Sequence, residues 1–304
     1  MRGKILVIRG GAIGDFILTL PALAALRQRF PEAHLEVLGY PHIVQLALAG
    51  GIVDRVQPIE ARALANFFAR NAELSEELRD YFSGFNVIVS YLYDPDEIFQ
   101  TNMGRCSRGQ FIVGPHRPDE SGRVHAASVF LKPLERLAIF EADAVPQLKL
   151  AEVAPAVDQT LALHPGSGSA RKNWPEPRWA ELIEHLLGTT NVNLLLVGGE
   201  AEGERLQKLA AALPPTRCRV AKSLPLAELA RRLQMCAGFV GHDSGITHLA
   251  AAVGLPCVVL WADTIEAIWR PLGPRVQIVR EDSGLPNLGV PRVAAELAQW
   301  IPIR

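Results

Sequence analysis

Residues 239–264 read FVGHDSGITHLAAAVGLPCVVLWADT. A short apolar run ends at Val240 and delivers Gly241, His242, Asp243, Ser244 and Gly245 into a turn, after which the alanine-rich segment from Ile246 to Val253 reads as a helix. The turn therefore occupies a helix N-terminus. There the first backbone N–H groups have no intrahelical acceptor and the dipole is positive, which favours an anion such as a phosphate. Gly245 lets the backbone approach a ligand closely, and Asp243 or Ser244 carries an oxygen able to cap the helix. Asp243 and Ser244 read equally well as plain N-caps and as part of an anion site.

The same grammar recurs on either side. Leu161 to His164 form a strand that enters a Gly/Ser-rich loop, Gly166, Ser167, Gly168 and Ser169, followed by Arg171 and Lys172 and a helix from about Glu176 to Leu187. Val192 onward gives another strand, a Gly198–Gly199 turn and a Glu-rich helix. At the start of the chain, Ile5 to Ile8 are continuously apolar, as in a strand buried on both faces. The turn Arg9–Asp15 and a helix ending near Phe30 follow, with Pro31 as the stop. This alternation argues an α/β protein with doubly wound parallel sheets, whose ligands lie beyond the carboxyl ends of the strands. Between the halves, LKLAEVAPAVDQT has no periodicity and reads as a linker, setting the boundary near residue 155 and the domains at 1–155 and 156–304.

Several residues in these loops carry chemistry. Asp15 stands at the end of the first strand, where a carboxylate can take a proton from a hydroxyl or simply cap the next helix. The backbone of Gly166 to Ser169 together with Lys172 can hold a diphosphate, although G-K-[ST] is absent and the loop is no Walker A motif. Glu200 and Glu202 compete as acceptors for ribose hydroxyls, or serve only as acids at a helix start. The polar segment GPHRPDESGRVH places Arg117 and Arg123 where they can grip an anionic acceptor, or lie in a solvated loop. Its histidines and acids fit no metal template. The stretch 61–81 reads as amphipathic with a solvated helical face, 125–140 as one helix, and YLYDPDEIFQTNMGRCSRGQFIVG (Tyr91–Gly114), with its aromatics, acids, Arg105 and Arg108, as a candidate acceptor-facing loop or an ordinary one.

Composition narrows the function. A chain of 304 residues with 49% hydrophobic and 21% charged residues suits two soluble domains. Its net charge of −1 offers no field for nucleic acid. Four scattered cysteines imply neither a disulfide framework nor a zinc site. No cleavable signal pattern and no run approaching the ~20 apolar residues of a membrane span are present, so the expected location is cytoplasmic, with peripheral membrane contact compatible.

In order and spacing, the motifs G-x-x-G-D (Gly11–Asp15), H-P-G-S-G-x-x-x-K-x-W-P (His164–Pro175), G-G-E (Gly198–Glu200) and D-S-G-x-x-H-L (Asp243–Leu249) resemble glycosyltransferase family 9, the lipopolysaccharide heptosyltransferases. The resemblance implies the GT-B fold, two Rossmann-like domains facing a central cleft, with the last helix (about 291–301) returning to the N-terminal domain. It implies inverting transfer of a heptose from ADP-heptose to a lipopolysaccharide core-type acceptor, lipid-linked or phosphorylated, without a required cofactor or metal. Asp15 then matches the catalytic base and Lys172 the lysine that reaches donor phosphate. Gly166, Ser167, Gly168, Ser169, Glu200 or Glu202, Asp243, Ser244, Gly245 and His248 fall on the donor side, and Arg9, Gly14, Arg117 and Arg123 on the acceptor side. His248 reads equally as a core histidine, and Arg9 as a surface residue closing the strand. Trp261-Ala262-Asp263-Thr264 departs from the F-G-x-T common in the family, which leaves open another nucleotide-diphosphate sugar. A nucleotide-sugar binder without turnover and a sugar epimerase are the alternatives from other classes.

Overall fold

The computed structural model describes residues 3–151, 159–199, 202–211 and 213–301. Met1–Val145 and Pro146–Arg304 form two compact units.

In the first unit, β1 (Lys4–Arg9), β2 (His34–Gly39), β3 (Arg55–Pro58), β4 (Val87–Ser90) and β5 (Gln110–Val113) make an all-parallel sheet in the order β3-β2-β1-β4-β5. β1 is central and buried from Ile5 to Arg9, as its unbroken apolar run predicts. The helices are α1 (Ile13–Ile17), α2 (Leu20–Arg29), α3 (Pro41–Ala49), α4 (Glu76–Ser83), α5 (Ile98–Gly104) and α6 (Ala126–Leu131). The strand order reverses between β1 and β4. Loops leaving those strands therefore diverge and open a crevice at the carboxyl edge of the sheet.

Three expectations change here. The segment after Asp15 is two helices, α1 and α2, because Pro21 starts a new one within its first two positions. The stretch 61–81 is more than one element: a 3₁₀ segment (Arg62–Phe68) buries Leu64 and Phe67, Leu74 is buried in the connection, and α4 keeps Glu77 and Arg79 on the expected solvated face while Phe82 near its end joins the core. There the Phe67 ring lies 4.8 Å from Phe82 and 6.1 Å from Phe99, and each fully buried ring contributes about 2–3 kcal/mol. The helix expected over 125–140 is α6 followed by a 3₁₀ segment (Lys132–Leu137), since Pro133 lacks an N–H to continue the α ladder.

The second unit has its own parallel sheet of β6 (Thr160–His164), β7 (Asn193–Gly198), β8 (Cys218–Lys222), β9 (Gly238–His242), β10 (Cys257–Leu260) and β11 (Val276–Val279), in the order β11-β10-β9-β6-β7-β8. Its helices are α7 (Glu176–Thr189), α8 (Gly203–Ala211), α9 (Leu226–Gln234), α10 (Gly245–Ala252), α11 (Glu266–Trp269) and α12 (Val290–Leu297). Counted within this unit, the order is that of a dinucleotide-binding sheet, with its reversal between β6 and β9. Trp174 and Trp179 fill the core edge to face, 5.5 Å apart.

The compact units meet at 145/146, and the boundary expected near 155 lies outside the described residues. Leu148 and Leu150 are buried, and the Leu148 N–H donates to the Ala252 carbonyl at 2.8 Å, so this part of the expected linker is an ordered part of the second unit. The last helix is likewise built into its own unit. Val290, Val293 and Leu297 of α12 join the core cluster that holds Trp179 and Leu182 of α7, because its apolar stripe finds that face already prepared. Among the described residues, no helix is long and apolar enough to cross a membrane.

Candidate active site

In the second unit, the loops from β6 and β9 meet at the strand-order reversal, with His164 paired in register to Gly241. β9 ends at His242, Asp243 follows, and Ser244 is the N-cap of α10 with an extended backbone, its Oγ accepting the Thr247 N–H at 3.3 Å. Ser244 is thus the cap, and Asp243 is left for another task. Its Oδ2 receives the Lys172 ammonium at 2.6 Å and the Thr264 hydroxyl at 2.6 Å. The Asp243 side chain is 8% exposed and that of Lys172 30%, so the pair lies at the lip of the site, with the cation on the wet side. A cation beside the positive start of α10 forms a place where a diphosphate would be stabilised twice over.

The loop carrying Lys172 is held by His242. The imidazole Nε2 accepts the Trp174 N–H at 2.8 Å, which leaves Nδ1 protonated to donate to the Gly166 carbonyl at 3.2 Å. One ring therefore joins both ends of the loop. Burial pushes the His242 pKa down to about 4, against opposing pulls from the Gly166 bond and Asp243. His164, behind it, is pushed down to about 3 by burial and by His242. Both rings are neutral at pH 7, and the Trp179 ring meets His242 edge to face at 5.4 Å.

The rest of the expected donor set divides. Ser167 Oγ accepts the Ser169 N–H at 3.3 Å and lies 2.7 Å from both the Ser169 carbonyl and Asn173 Oδ1, so it braces the loop from within. Gly168 is exposed and Gly166 buried, the latter covered by the Glu202 side chain, which leaves no room for a Cβ there. Glu202 Oε2 accepts the Gly199 N–H at 2.9 Å, bringing the β7 turn against the loop at Gly166. Gly245 is the first residue of α10, and His248 lies buried in the same helix. Glu200 lies outside the described residues. Sequence reasoning missed two members of the constellation, His242 and Thr264. The signal for Thr264 was its agreement with the last position of F-G-x-T: the Trp261 Nε1–H donates to the Thr264 carbonyl at 2.9 Å, and the Thr264 hydroxyl reaches Asp243.

In the first unit, Gly11 adopts φ +102°, a conformation that favours glycine, and the turn it makes brings Asp15 Oδ2 to the Ala12 N–H at 3.1 Å. Gly14 sits in α1 beside Asp15, partly exposed. The Asp15 side chain is 29% exposed, with Oδ1 3.9 Å from Arg9 Nη2. Asp15 is therefore neither buried nor locked in a close ion pair, and it can accept a proton from a bound hydroxyl.

Arg9 is no surface residue closing the strand. Its side chain is 2% exposed. Nη1 donates to the His116 carbonyl at 2.8 Å, Nη2 to the Asp15 carbonyl at 3.3 Å, and the guanidinium stacks 4.4 Å from the centre of the Phe130 ring. Desolvation lowers its pKa while Asp15 and Tyr91 oppose the shift. The strand-end position that suggested a ligand contact is roofed by the loops after β4 and β5, which Arg9 ties together. Arg117 and Arg123 stand exposed in the loop after β5, Arg117 paired with Glu120 at 3.2 Å. His125 caps α6 through Nδ1. Among the described residues, no group of three or more His, Cys, Asp or Glu side chains could hold a metal ion.

The sequence profile of glycosyltransferase family 9 (heptosyltransferase) matches residues 132–295, more than half of the chain. Lipopolysaccharide heptosyltransferase 1 of Pseudomonas aeruginosa is 26% identical over 286 residues, covering 86% of this chain and 79% of that protein. Among solved structures, the E. coli ADP-heptose lps heptosyltransferase II superposes with a TM-score of 0.78 at 19% identity over 98% of both chains. The E. coli heptosyltransferase WaaC with ADP does so with a TM-score of 0.77 at 18% identity, over 97% of this chain and 99% of that one.

Proposed function

Because the chain belongs to glycosyltransferase family 9, we propose that it transfers a heptose from ADP-heptose to a hydroxyl of a lipopolysaccharide core-type acceptor, with inversion at the anomeric carbon. One observation carries the reading. Lys172, Asp243 and the start of α10 converge at the strand-order reversal of the second unit, a cation and a helix terminus set where a pyrophosphate is bound in such sheets. The relatives named for heptosyl transfer, one solved with ADP, support the choice of sugar and nucleotide.

In this reading the donor diphosphate rests on the loop 166–169, Lys172 and the Gly245 end of α10, while Glu200 or Glu202 serves the ribose. Asp15 removes the acceptor proton as the acceptor oxygen attacks the anomeric carbon. The bond to ADP breaks on the opposite face, and Lys172 with the helix start stabilises the charge growing on the leaving phosphate. Arg117 and Arg123 offer guanidinium groups to a phosphorylated acceptor. The acceptor is met at the cytoplasmic face of the inner membrane, with the protein acting peripherally.

The test is direct: purified protein, ADP-heptose and a deacylated core oligosaccharide, with product followed by mass spectrometry. A mass increase of one heptose is expected. Turnover with UDP- or GDP-sugars but none with ADP-heptose overturns the donor assignment.

A further inference from the structure

The loop that leaves β4 displays an aromatic ring. Tyr93 is 70% exposed, yet its surroundings are fixed. Two residues before it, Tyr91 is buried and donates its hydroxyl to the Phe130 carbonyl at 2.6 Å. On the other side, Asp94 accepts the N–H groups of Phe99 and Gln100 at 3.1 and 2.9 Å, anchoring the loop to the start of α5. A large ring held in water on a braced loop is a contact surface awaiting a partner.

Its neighbour is the ring of His116, from the loop after β5, with centroids 4.6 Å apart and planes at 57°. The rings touch and are tilted, so no ligand ring enters between them, and together they present a composite aromatic surface. Such a surface suits a pyranose, whose C–H face packs on an aromatic face while its hydroxyls turn outward.

Position selects the role. The loops after β1 and β4 flank the strand-order reversal, the place where ligands bind in open α/β sheets. One guanidinium ties the pair to Asp15: Arg9 Nη1 donates to the His116 carbonyl at 2.8 Å, and Nη2 to the Asp15 carbonyl at 3.3 Å. We propose that Tyr93 and His116 form a stacking subsite for a sugar ring of the acceptor, set beside Asp15 by Arg9. Only the word acceptor rests on the transfer reading given above; the sugar-binding surface stands on the first unit alone.

The experiment titrates the full chain with a deacylated lipopolysaccharide inner-core oligosaccharide by calorimetry, without donor, and separately measures acceptor and donor KM with ADP-heptose. Tyr93→Ala is expected to weaken oligosaccharide binding about ten-fold and to raise the acceptor KM in step. Tyr93→Phe keeps the ring and should stay within about two-fold of the parent, His116→Ala should fall between, and the donor KM should move less than about two-fold in all three. Unfolding midpoints confirm that the variants fold. Unchanged binding in Tyr93→Ala overturns the subsite, as does a loss in Tyr93→Phe equal to that of Tyr93→Ala, or a parent protein that binds no oligosaccharide. A parent that binds the oligosaccharide through Tyr93 but transfers no sugar upholds the subsite and removes the transfer reading instead.

Discussion

His242 and Trp174 are joined by a 2.8 Å hydrogen bond in which the backbone N–H of Trp174 donates to the ring Nε2. Trp174 lies two residues beyond Lys172, and His242 one residue before Asp243, so this bond and the Lys172–Asp243 contact close a small ring across two loops. The ammonium is held in place by buried backbone chemistry that never touches it.

Replacing His242 by Phe keeps the bulk but strands the Trp174 N–H and the Gly166 carbonyl. Each buried unsatisfied group costs about 1–3 kcal/mol, so urea unfolding should show a loss of about 2–4 kcal/mol, the loop relaxing in part. ADP affinity, measured by calorimetry, should fall about ten-fold. Parent-like ADP binding would mean that the loop holds its shape without the imidazole.

Both buried histidines make stability acid-sensitive. Their folded-state pKa values, about 4 for His242 and about 3 for His164, lie below the ordinary histidine value of 6.5, so the unfolded chain binds protons that the folded one refuses. Their contribution is complete above the unfolded value and is lost as pH falls from there toward the folded values. Urea midpoints taken from pH 7 to pH 4.5 should fall, and His242→Phe should flatten the slope.

Lys172 and Asp243 should be coupled energetically. In a double-mutant cycle of Lys172→Met and Asp243→Asn, the interaction in ADP binding should reach about 1–3 kcal/mol. Additive losses would show that the two side chains act on the ligand independently.

Arg9→Met removes the guanidinium from a site where it serves the carbonyls of Asp15 and His116 and stacks on Phe130. A loss of about 2–4 kcal/mol in stability is expected, with kcat falling more than the donor KM rises, because Asp15 loses its support. Arg9→Lys should rescue stability only in part, since an ammonium cannot span both carbonyls with a planar fork.

Asp15→Asn is nearly isosteric, and its amide oxygen can still accept the Ala12 N–H, so the unfolding midpoint should stay close to that of the parent. Transfer should drop about 10²–10⁴-fold with ADP affinity unchanged. Retained turnover would remove Asp15 from the proton transfer.

Much of this was legible because it is local. The apolar runs Ile5–Ile8 and Leu161–Leu163 predict buried parallel strands, and both are central in their sheets. The D-S-G turn predicts a helix start, and Ser244 caps one. The misreadings have non-local causes. Arg9 also read as a surface residue because its burial comes from loops more than eighty positions away, and His242 looked like a turn residue because its partners lie at 166 and 174. Asp243 carried two readings, cap or anion site; Ser244 takes the cap, and the Asp243 carboxylate goes to Lys172 and Thr264, which no spacing rule links to it.

By itself the sequence determined the alternation of strand, small-residue turn and helix, and hence two doubly wound sheets, because strand burial and helix capping are encoded within a few residues of each other. Only the tertiary structure decided which side chains share a site. Hydrogen bonds and ion pairs depend on distances that the chain sets by folding, and one buried guanidinium or imidazole can join loops that lie far apart in the order of residues.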